Sequence, residues 1–315
     1  MRILLWHVHG SWTTAFVQGE HEYLVPVVPG RGPDGRGRAQ TYSWPASAVE
    51  LAPEELRDAE FDVVLVQRPH ELLELCESWT GRRPGRDVPA VYVEHNAPQG
   101  RIAEMRHPAA DRDDLVLVHV THFNDLFWEC GSTPTRVVEH GIVDPGARYT
   151  GELDRAAVVI NEARRRGRVT GTDLLGRIAG GVPLDLFGMD AENAGPSVHA
   201  VDDIPQQRLH DEMARRRVYL HPIRWTSLGL SLIEAMQLGM PVVALATTEA
   251  PEAVPPGAGV VSNRVGVLRD AVRGLVEDPD RAREMGQAAR ASALERFGVE
   301  RFLSDWDAVL EAVAR

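Results

Sequence analysis

The sequence predicts an α/β fold with two parallel-sheet domains. Short apolar runs rich in β-branched residues alternate with helical patterns along most of the chain, and this alternation indicates parallel strands joined by helices. A length of 315 residues fits two domains of about 150 residues each. Pro145, Gly146 and Gly151 lie near the midpoint, a composition typical of a linker.

Composition and charge argue against several classes of protein. A net charge of −12 disfavours nonspecific binding to nucleic acid or to an anionic membrane. We find no apolar run near the ~20 residues that cross a bilayer, and Arg2 leads into a strand rather than a secretory signal. Two cysteines fit a reducing compartment better than a disulfide framework. We therefore expect a cytoplasmic protein without a nucleic-acid partner.

The first domain begins with a strand at 2–6, and Gly10 in the loop that follows allows close backbone approach. Further buried strands are predicted at 61–69 and 88–98. The second of these ends in a polar triplet that includes His95. Ligands of parallel sheets lie at the carboxyl ends of strands, so His95 is a candidate site residue. Structural hydrogen bonding near the core is the alternative for such a triplet.

A central stretch, RVYLHPIRWTSLGLSLIEAMQLGMPVVALA, predicts a strand–helix–strand unit of the second domain. Its predicted elements are, in order, a strand at 218–220, a loop at 221–227, a helix at 228–238 and a strand at 242–245. Gly239 follows the helix where a left-handed cap costs least, and Pro241 prevents its continuation. The amides near Ser227 and Gly229, at the helix N-terminus, can meet an anion.

Glu234 lies about two turns into this helix, between Ile233 and Ala235. A carboxylate beside an apolar face is costly unless a polar partner answers it. This position favours a binding role, with an exposed helix carboxylate as the alternative.

The same stretch resembles the signature of the retaining, nucleotide-sugar-dependent glycosyltransferases of family four, E-G-F-G-L-x-x-x-E-A-M-A-x-G-x-P-V-V-A. Glu234 matches the second glutamate, and Gly239 and Pro241 match the turn. Thr226 stands where the family has its first glutamate. The resemblance implies the GT-B fold, in which two Rossmann-like domains face a cleft. It also implies that Glu234 accepts hydrogen bonds from the ribose of the nucleotide, with Thr226, Ser227, Gly229 and Leu230 beside the donor.

Other segments extend the resemblance. The strand at 88–95 resembles the family element P-V-V-x-T-x-H, which places His95 beside the reacting sugar. Gly10 lies in the first loop, which in the family is close to acceptor and donor phosphates.

The family sequence G-R-x-x-x-x-K-G-x-D-x-L, whose arginine and lysine hold the diphosphate, resembles the segment after the strand at 156–161. It aligns Arg165 with the arginine and Thr170 with the lysine. This chain has no lysine, so Arg168 is the expected substitute. A solvated run of arginines before a helix is the alternative.

The resemblance thus implies a metal-independent, retaining hexosyltransferase without a cofactor, whose donor is a nucleotide-diphosphate sugar. The acceptor is a small molecule, a lipid or a glycan, and a homo-oligomer is compatible with the sequence. Residues 1–150 form the expected acceptor-side domain and 151–295 the nucleotide-sugar domain. After a break near Phe297, residues 296–315 form a helix crossing back to the first domain.

The sequence leaves two other functions open. Because Thr226 replaces the first family glutamate and the lysine is missing, one alternative is a non-catalytic subunit of the same fold. Such a subunit would bind a nucleotide sugar or only a partner enzyme. The second alternative is a nucleotide-sugar epimerase or a glycosyl phosphorylase with this fold.

Overall fold

The computed structural model describes residues 1–191, 198–201 and 204–315. Its internal contacts divide the chain into two units: unit 1 comprises Met1–Val143 and Val299–Arg315, and unit 2 comprises Asp144–Gly298. The sequence places these boundaries near 150 and 295. Residues 192–197 and 202–203 of the predicted second domain lie outside the described residues.

Unit 1 contains a seven-stranded sheet in which every strand pair is parallel. Its strands are β1 Arg2–Leu5, β2 Glu22–Pro26, β3 Ala48–Leu51, β4 Val63–Val66, β5 Ala90–Glu94, β6 Val116–His119 and β7 Thr135–Val137. Their spatial order is β3-β2-β1-β4-β5-β6-β7. The central strands β4 and β5 are buried along their full length, because helices cover both faces of a parallel sheet.

The helices of unit 1 are short, except for α12 at the C-terminal end of the chain. They are α1 Gly10–Phe16, α2 Pro53–Leu56, a π-helical turn at Glu71–Leu75, α3 Cys76–Thr80, a 3₁₀ turn at Ile102–Glu104, α4 His122–Phe127 and α12 Val299–Val313.

An aromatic cluster anchors α12 within unit 1. The Trp306 ring lies 5.6 Å from that of Trp12 and 5.2 Å from that of Phe16, edge to face in both cases. All three rings are almost fully buried. A β-carbon at Gly141, in the loop after β7, would overlap the Phe302 side chain of α12. Glycine at this position therefore allows the helix to pack closely against the loop.

Unit 2 contains a six-stranded sheet, also parallel throughout. Its strands are β8 Leu153–Val159, β9 Leu184–Phe187, β10 Val198–Val201, β11 Arg216–His221, β12 Val242–Ala244 and β13 Gly259–Val261. Their spatial order is β10-β9-β8-β11-β12-β13. The predicted α/β class with two parallel sheets is confirmed.

The helices of unit 2 lie on both faces of its sheet. They are α5 Ala163–Thr170, a 3₁₀ turn at Thr172–Leu174, α6 Leu175–Ala179, α7 Gln206–Arg215, α8 Leu230–Leu238, α9 Ala250–Ala253, α10 Val265–Glu277 and α11 Pro279–Phe297. The predicted helix break is confirmed, since α11 ends at Phe297 and α12 begins at Val299. In the described part of the chain, no helix is long and apolar enough to cross a membrane.

Candidate functional site

The β11–α8–β12 unit forms as the sequence predicts. Gly239 adopts the left-handed conformation (φ +88°) that ends α8, and its amide donates back into the last turn. The helix begins at Leu230 rather than at Leu228, because the backbone of Gly229 is still extended. A β-carbon at Gly229 would overlap the His221 ring, so this position needs glycine for close packing. Thr226, Ser227, Gly229 and Leu230 therefore form the end of the loop and the first residue of the helix.

The ring of His221 lies at the end of β11, directly against this loop. It is 2% exposed, and burial lowers its pKa to about 4. At neutral pH the ring is therefore uncharged, and it adds no positive charge to the site. The charge offered to an anion must come from the α8 amides and from arginines.

Glu234 is buried, with 4% of the residue exposed. Gln206 Nε2 donates to Glu234 Oε1 at 3.1 Å, and His210 Nε2 lies 3.5 Å from Glu234 Oε2. Both partners belong to α7, which packs on α8. The carboxylate is therefore buried rather than exposed, with Gln206 of the neighbouring helix as a hydrogen-bond donor, and its nucleotide-binding role stays a prediction.

Arg165 and Arg168 both lie on α5, and both are exposed. Arg165 Nε donates to Glu162 Oε1 at 2.7 Å, with 69% of the Arg165 side chain exposed. Arg168 Nη1 lies 3.2 Å from Asp173 Oδ2, with 80% of its side chain exposed. Exposed ion pairs contribute little in water, so either guanidinium can leave its carboxylate for a phosphate.

The structure also places Arg224 beside Arg168. Arg224 donates through both terminal nitrogens to Asp173, at 2.5 and 2.9 Å, and Nη1 also donates to the Arg168 carbonyl at 2.6 Å. This bidentate pair lowers the pKa of the Asp173 carboxyl. Arg224 was not among the phosphate-binding candidates predicted from the sequence. The available signal was the arginine in the loop before α8.

Thr170, at the position of the family lysine, is fully buried. Its hydroxyl donates to the Gly167 carbonyl at 3.2 Å and lies 3.1 Å from the Thr172 hydroxyl. It supplies no positive charge. The next residue, Gly171, has a φ of +73°, and its α-carbon lies against the carbonyl of Pro222. Segment 168–171 and the loop before α8 are thus in direct contact.

His95 lies in unit 1, within a cluster of three histidine rings. The His95 ring centroid is 4.1 Å from that of His9, 6.5 Å from that of His140 and 4.9 Å from that of Trp12. Burial lowers the pKa of all three histidines, to about 4 for His9 and about 3 for His140. His95 Nε2 is buried without a hydrogen-bond partner among the described residues. Gly10, the first residue of α1, follows His9 directly.

The predicted residues therefore fall into two groups. Arg165, Arg168, Glu234 and the start of α8 belong to unit 2, whereas Gly10 and His95 belong to unit 1. Within the described ranges, no three His, Cys, Asp or Glu side chains converge in a way that could hold a metal ion.

The two parallel sheets and the likeness to solved structures identify the GT-B fold. Sucrose-phosphate synthase from Thermosynechococcus elongatus superimposes with a TM-score of 0.72 at 14% identity, over 99% of this chain and 98% of that chain. Anabaena HepE in complex with UDP gives a TM-score of 0.71 at 16% identity, over 99% of this chain and 100% of that chain. At such identities the likeness shows the fold alone.

Residues 174–292 match the family described as glycosyl transferases group 1. A GDP-mannose-dependent alpha-(1-6)-phosphatidylinositol monomannoside mannosyltransferase of Mycolicibacterium smegmatis is 33% identical over 148 residues, 43% of this chain and 38% of the relative. Alpha-maltose-1-phosphate synthase of the same organism is 32% identical over 103 residues, 30% of this chain and 27% of the relative. The chain thus matches well under half the length of these relatives. The predicted resemblance to GT-B glycosyltransferases of group 1 is confirmed.

Proposed function

We propose that the chain is a glycosyltransferase that moves a sugar from a nucleotide-diphosphate donor to an acceptor. The observation that carries the proposal is the buried Glu234 on α8, within the residues that match the group 1 family. The structural neighbour HepE was solved in complex with UDP, and the mannosyltransferase relative is GDP-mannose-dependent. Uridine and guanosine nucleotides are therefore the first to test.

The pyrophosphate of the donor binds at the N-terminus of α8. Amides from Ser227 to Leu230 supply the positive end of the helix dipole, and Arg165 and Arg168 supply full charges. When the glycosidic bond breaks, negative charge grows on the leaving phosphate, and these groups stabilise it. The arginines give up exposed carboxylate partners to do so, which costs little.

Replacing Glu234 with alanine tests the nucleotide part of this proposal. We expect about tenfold weaker binding of UDP or GDP, because a charged hydrogen bond to the ribose contributes roughly 1–2 kcal/mol. Isothermal titration calorimetry measures the affinity directly. Glu284→Ala, which removes an exposed carboxylate from α11, is the matched control and should bind as the wild type does. Equal affinity in the Glu234 and Glu284 variants would remove Glu234 from the site.

The two arginines are tested separately from the ribose contact. Arg165→Gln and Arg168→Gln should each weaken diphosphate binding several-fold while leaving nucleoside binding unchanged, since only the phosphates need their charge. Arg177→Gln, an exposed arginine on α6, controls for the change in net charge. Binding of UDP and GDP that tolerates both substitutions would contradict the assignment.

We also propose that transfer retains the anomeric configuration without a bound metal. The acceptor hydroxyl attacks from the side of the leaving group, and the departing phosphate takes its proton, so no enzymic base is needed at Thr226. Thr226 offers one neutral hydrogen bond to the donor sugar, a weaker hold than a carboxylate. NMR of the product anomer tests the retention of configuration, and assays in EDTA test whether a metal is needed.

His95, whose ring is buried and uncharged, contacts the donor sugar or the acceptor in this proposal.

Turnover itself is tested with a panel of UDP- and GDP-sugars. Release of nucleoside diphosphate that depends on an added acceptor supports the enzyme. Thermal stabilisation by nucleotides without any release, over a wide acceptor panel, would instead support a non-catalytic binding subunit.

A further inference from the structure

One carboxylate of unit 2 is shared by two guanidinium groups at the end of α5. Asp173 lies in the 3₁₀ turn that follows this helix. Arg224, in the loop before α8, donates to both Asp173 oxygens, at 2.5 and 2.9 Å. Arg168, near the end of α5, donates to Oδ2 alone, at 3.2 Å. The two arginines therefore share Asp173 unequally.

Arg224 holds Asp173 more firmly than Arg168 does. A bidentate pair between a guanidinium and a carboxylate is stronger than a single contact. Arg224 is also the less exposed of the two, with 26% of its side chain accessible against 80% for Arg168. Accordingly, Arg224 is the main cause of the lowered pKa of the Asp173 carboxyl, and Arg168 contributes less. A phosphate would thus detach Arg168 at little cost and leave Arg224 in place.

Arg224 also joins two segments that are far apart in sequence. Its Nη1 donates to the Arg168 carbonyl at 2.6 Å, and its backbone amide donates to the Val169 carbonyl at 2.9 Å. The Trp225 amide donates to the same Val169 carbonyl at 3.3 Å. Arg224 therefore holds the end of α5 against the loop that leads into α8. Both segments carry groups that the proposed function assigns to the pyrophosphate.

The charge of Arg224 has a second effect on Arg168. A carboxylate at Asp173 without Arg224 would attract Arg168 and compete with a phosphate for its guanidinium. With Arg224 bound to both oxygens, much of that negative charge is compensated, so Asp173 retains Arg168 only weakly. Arg224 thus leaves the charge of Arg168 available to a ligand.

From these contacts we infer that Arg224 and Asp173 are positioning residues of the phosphate site. Arg224 prevents Asp173 from competing for Arg168, and the pair holds the end of α5 against the loop before α8. Neither residue has to touch the ligand. The effect on phosphate binding rests on the proposed function, whereas the contact between the two segments does not.

Phosphate binding is measured by isothermal titration calorimetry with UDP and GDP. Arg224→Gln should bind both about tenfold more weakly, because the Asp173 carboxylate then retains Arg168. Adding Asp173→Asn to that variant removes the competing charge, and the affinity should recover about threefold or more. Arg283→Gln, which breaks an exposed ion pair with Asp280 on α11, is the control and should bind as the wild type does.

Recovery in the double variant separates positioning from a merely structural role. A residue that only stabilises the fold would weaken uridine and guanosine binding as well, and a second substitution in its pair would not restore diphosphate binding. Unchanged diphosphate affinity in Arg224→Gln, or a double variant that binds no better, would overturn the inference. Should Arg224→Gln fail to fold, Arg224→Lys keeps the charge without the bidentate geometry and should show a smaller loss, with recovery on adding Asp173→Asn.

The contact between the two segments is measured separately, on the full chain without nucleotide. Hydrogen exchange of the Arg224 and Trp225 amides, which donate to Val169, should be about tenfold faster in Asp173→Asn than in the wild type. Asp280→Asn, on α11, should leave this exchange unchanged. Equal exchange in Asp173→Asn and the wild type would show that the pair does not hold the segments together. If the wild type binds neither UDP nor GDP, the proposed function fails, while this exchange still decides whether the pair acts as inferred.

Discussion

Replacing Gly171 with alanine is expected to lower the free energy of unfolding by about 3 kcal/mol or more. The left-handed backbone of this residue (φ +73°) costs a residue with a β-carbon roughly 1–2 kcal/mol. The added β-carbon would also overlap the carbonyl oxygen of Pro222, and relieving such overpacking costs about another 1–3 kcal/mol. Because Pro222 begins the loop that leads into α8, the same substitution should weaken nucleotide binding.

Urea unfolding followed by circular dichroism measures this loss. Gly176→Ala is the matched control, because Gly176 lies five residues further on, within α6, and its β-carbon would have no described atom within 4 Å. That variant should equal the wild type or gain up to about 1 kcal/mol from helix propensity. Similar stability for the two variants would show that the contact between Gly171 and Pro222 is not tight.

Acidification is expected to destabilise unit 1 strongly, through the cluster of His9, His95 and His140. Burial lowers the pKa of His9 to about 4 and of His140 to about 3, from an ordinary value of 6.5. Between pH 6.5 and these values the unfolded chain binds protons that the folded chain does not. The stabilisation is therefore complete above pH 6.5 and is lost as the pH falls towards 4. The His9 and His140 rings should each cost about 2 kcal/mol between pH 7 and pH 5, and His95 acts in the same direction.

The substitution His140→Asn measures how much the protonation of this one ring contributes to the loss of stability. Asparagine does not titrate, so the loss of unfolding free energy between pH 7 and pH 5 should shrink by about 2 kcal/mol in this variant. The difference is read from urea titrations at the two pH values, with the wild type measured beside it. An identical pH dependence in both proteins would mean that His140 can be protonated without cost in the folded state.

Much of the fold could be predicted because it depends on neighbours in the chain. The fully apolar runs of β4 and β12 identify buried parallel strands. The strand–helix–strand unit around Glu234 was equally readable, since Gly239 and Pro241 end α8 by local backbone geometry. The burial of Glu234 followed from its apolar neighbours on the same helix.

The partners of the candidate site residues could not be predicted in this way. Arg224 and Asp173 are 51 residues apart in sequence, and Gln206 is 28 residues from Glu234. His9, His95 and His140 come from three separate loops and meet only because β1, β5 and β7 end at the same edge of one sheet. The close packing of the His221 ring on Gly229, just before α8, could not be predicted either.

The sequence by itself determined the elements, the two-sheet class and the residue types available for phosphate and sugar. Only the tertiary structure decided which guanidinium meets which carboxylate, which imidazoles lie together, and which polar atoms of unit 1 are buried without a partner among the described residues. The reason is physical. Periodicity and capping act between residues a few positions apart, whereas charge pairing and burial depend on strand order, which brings distant segments together.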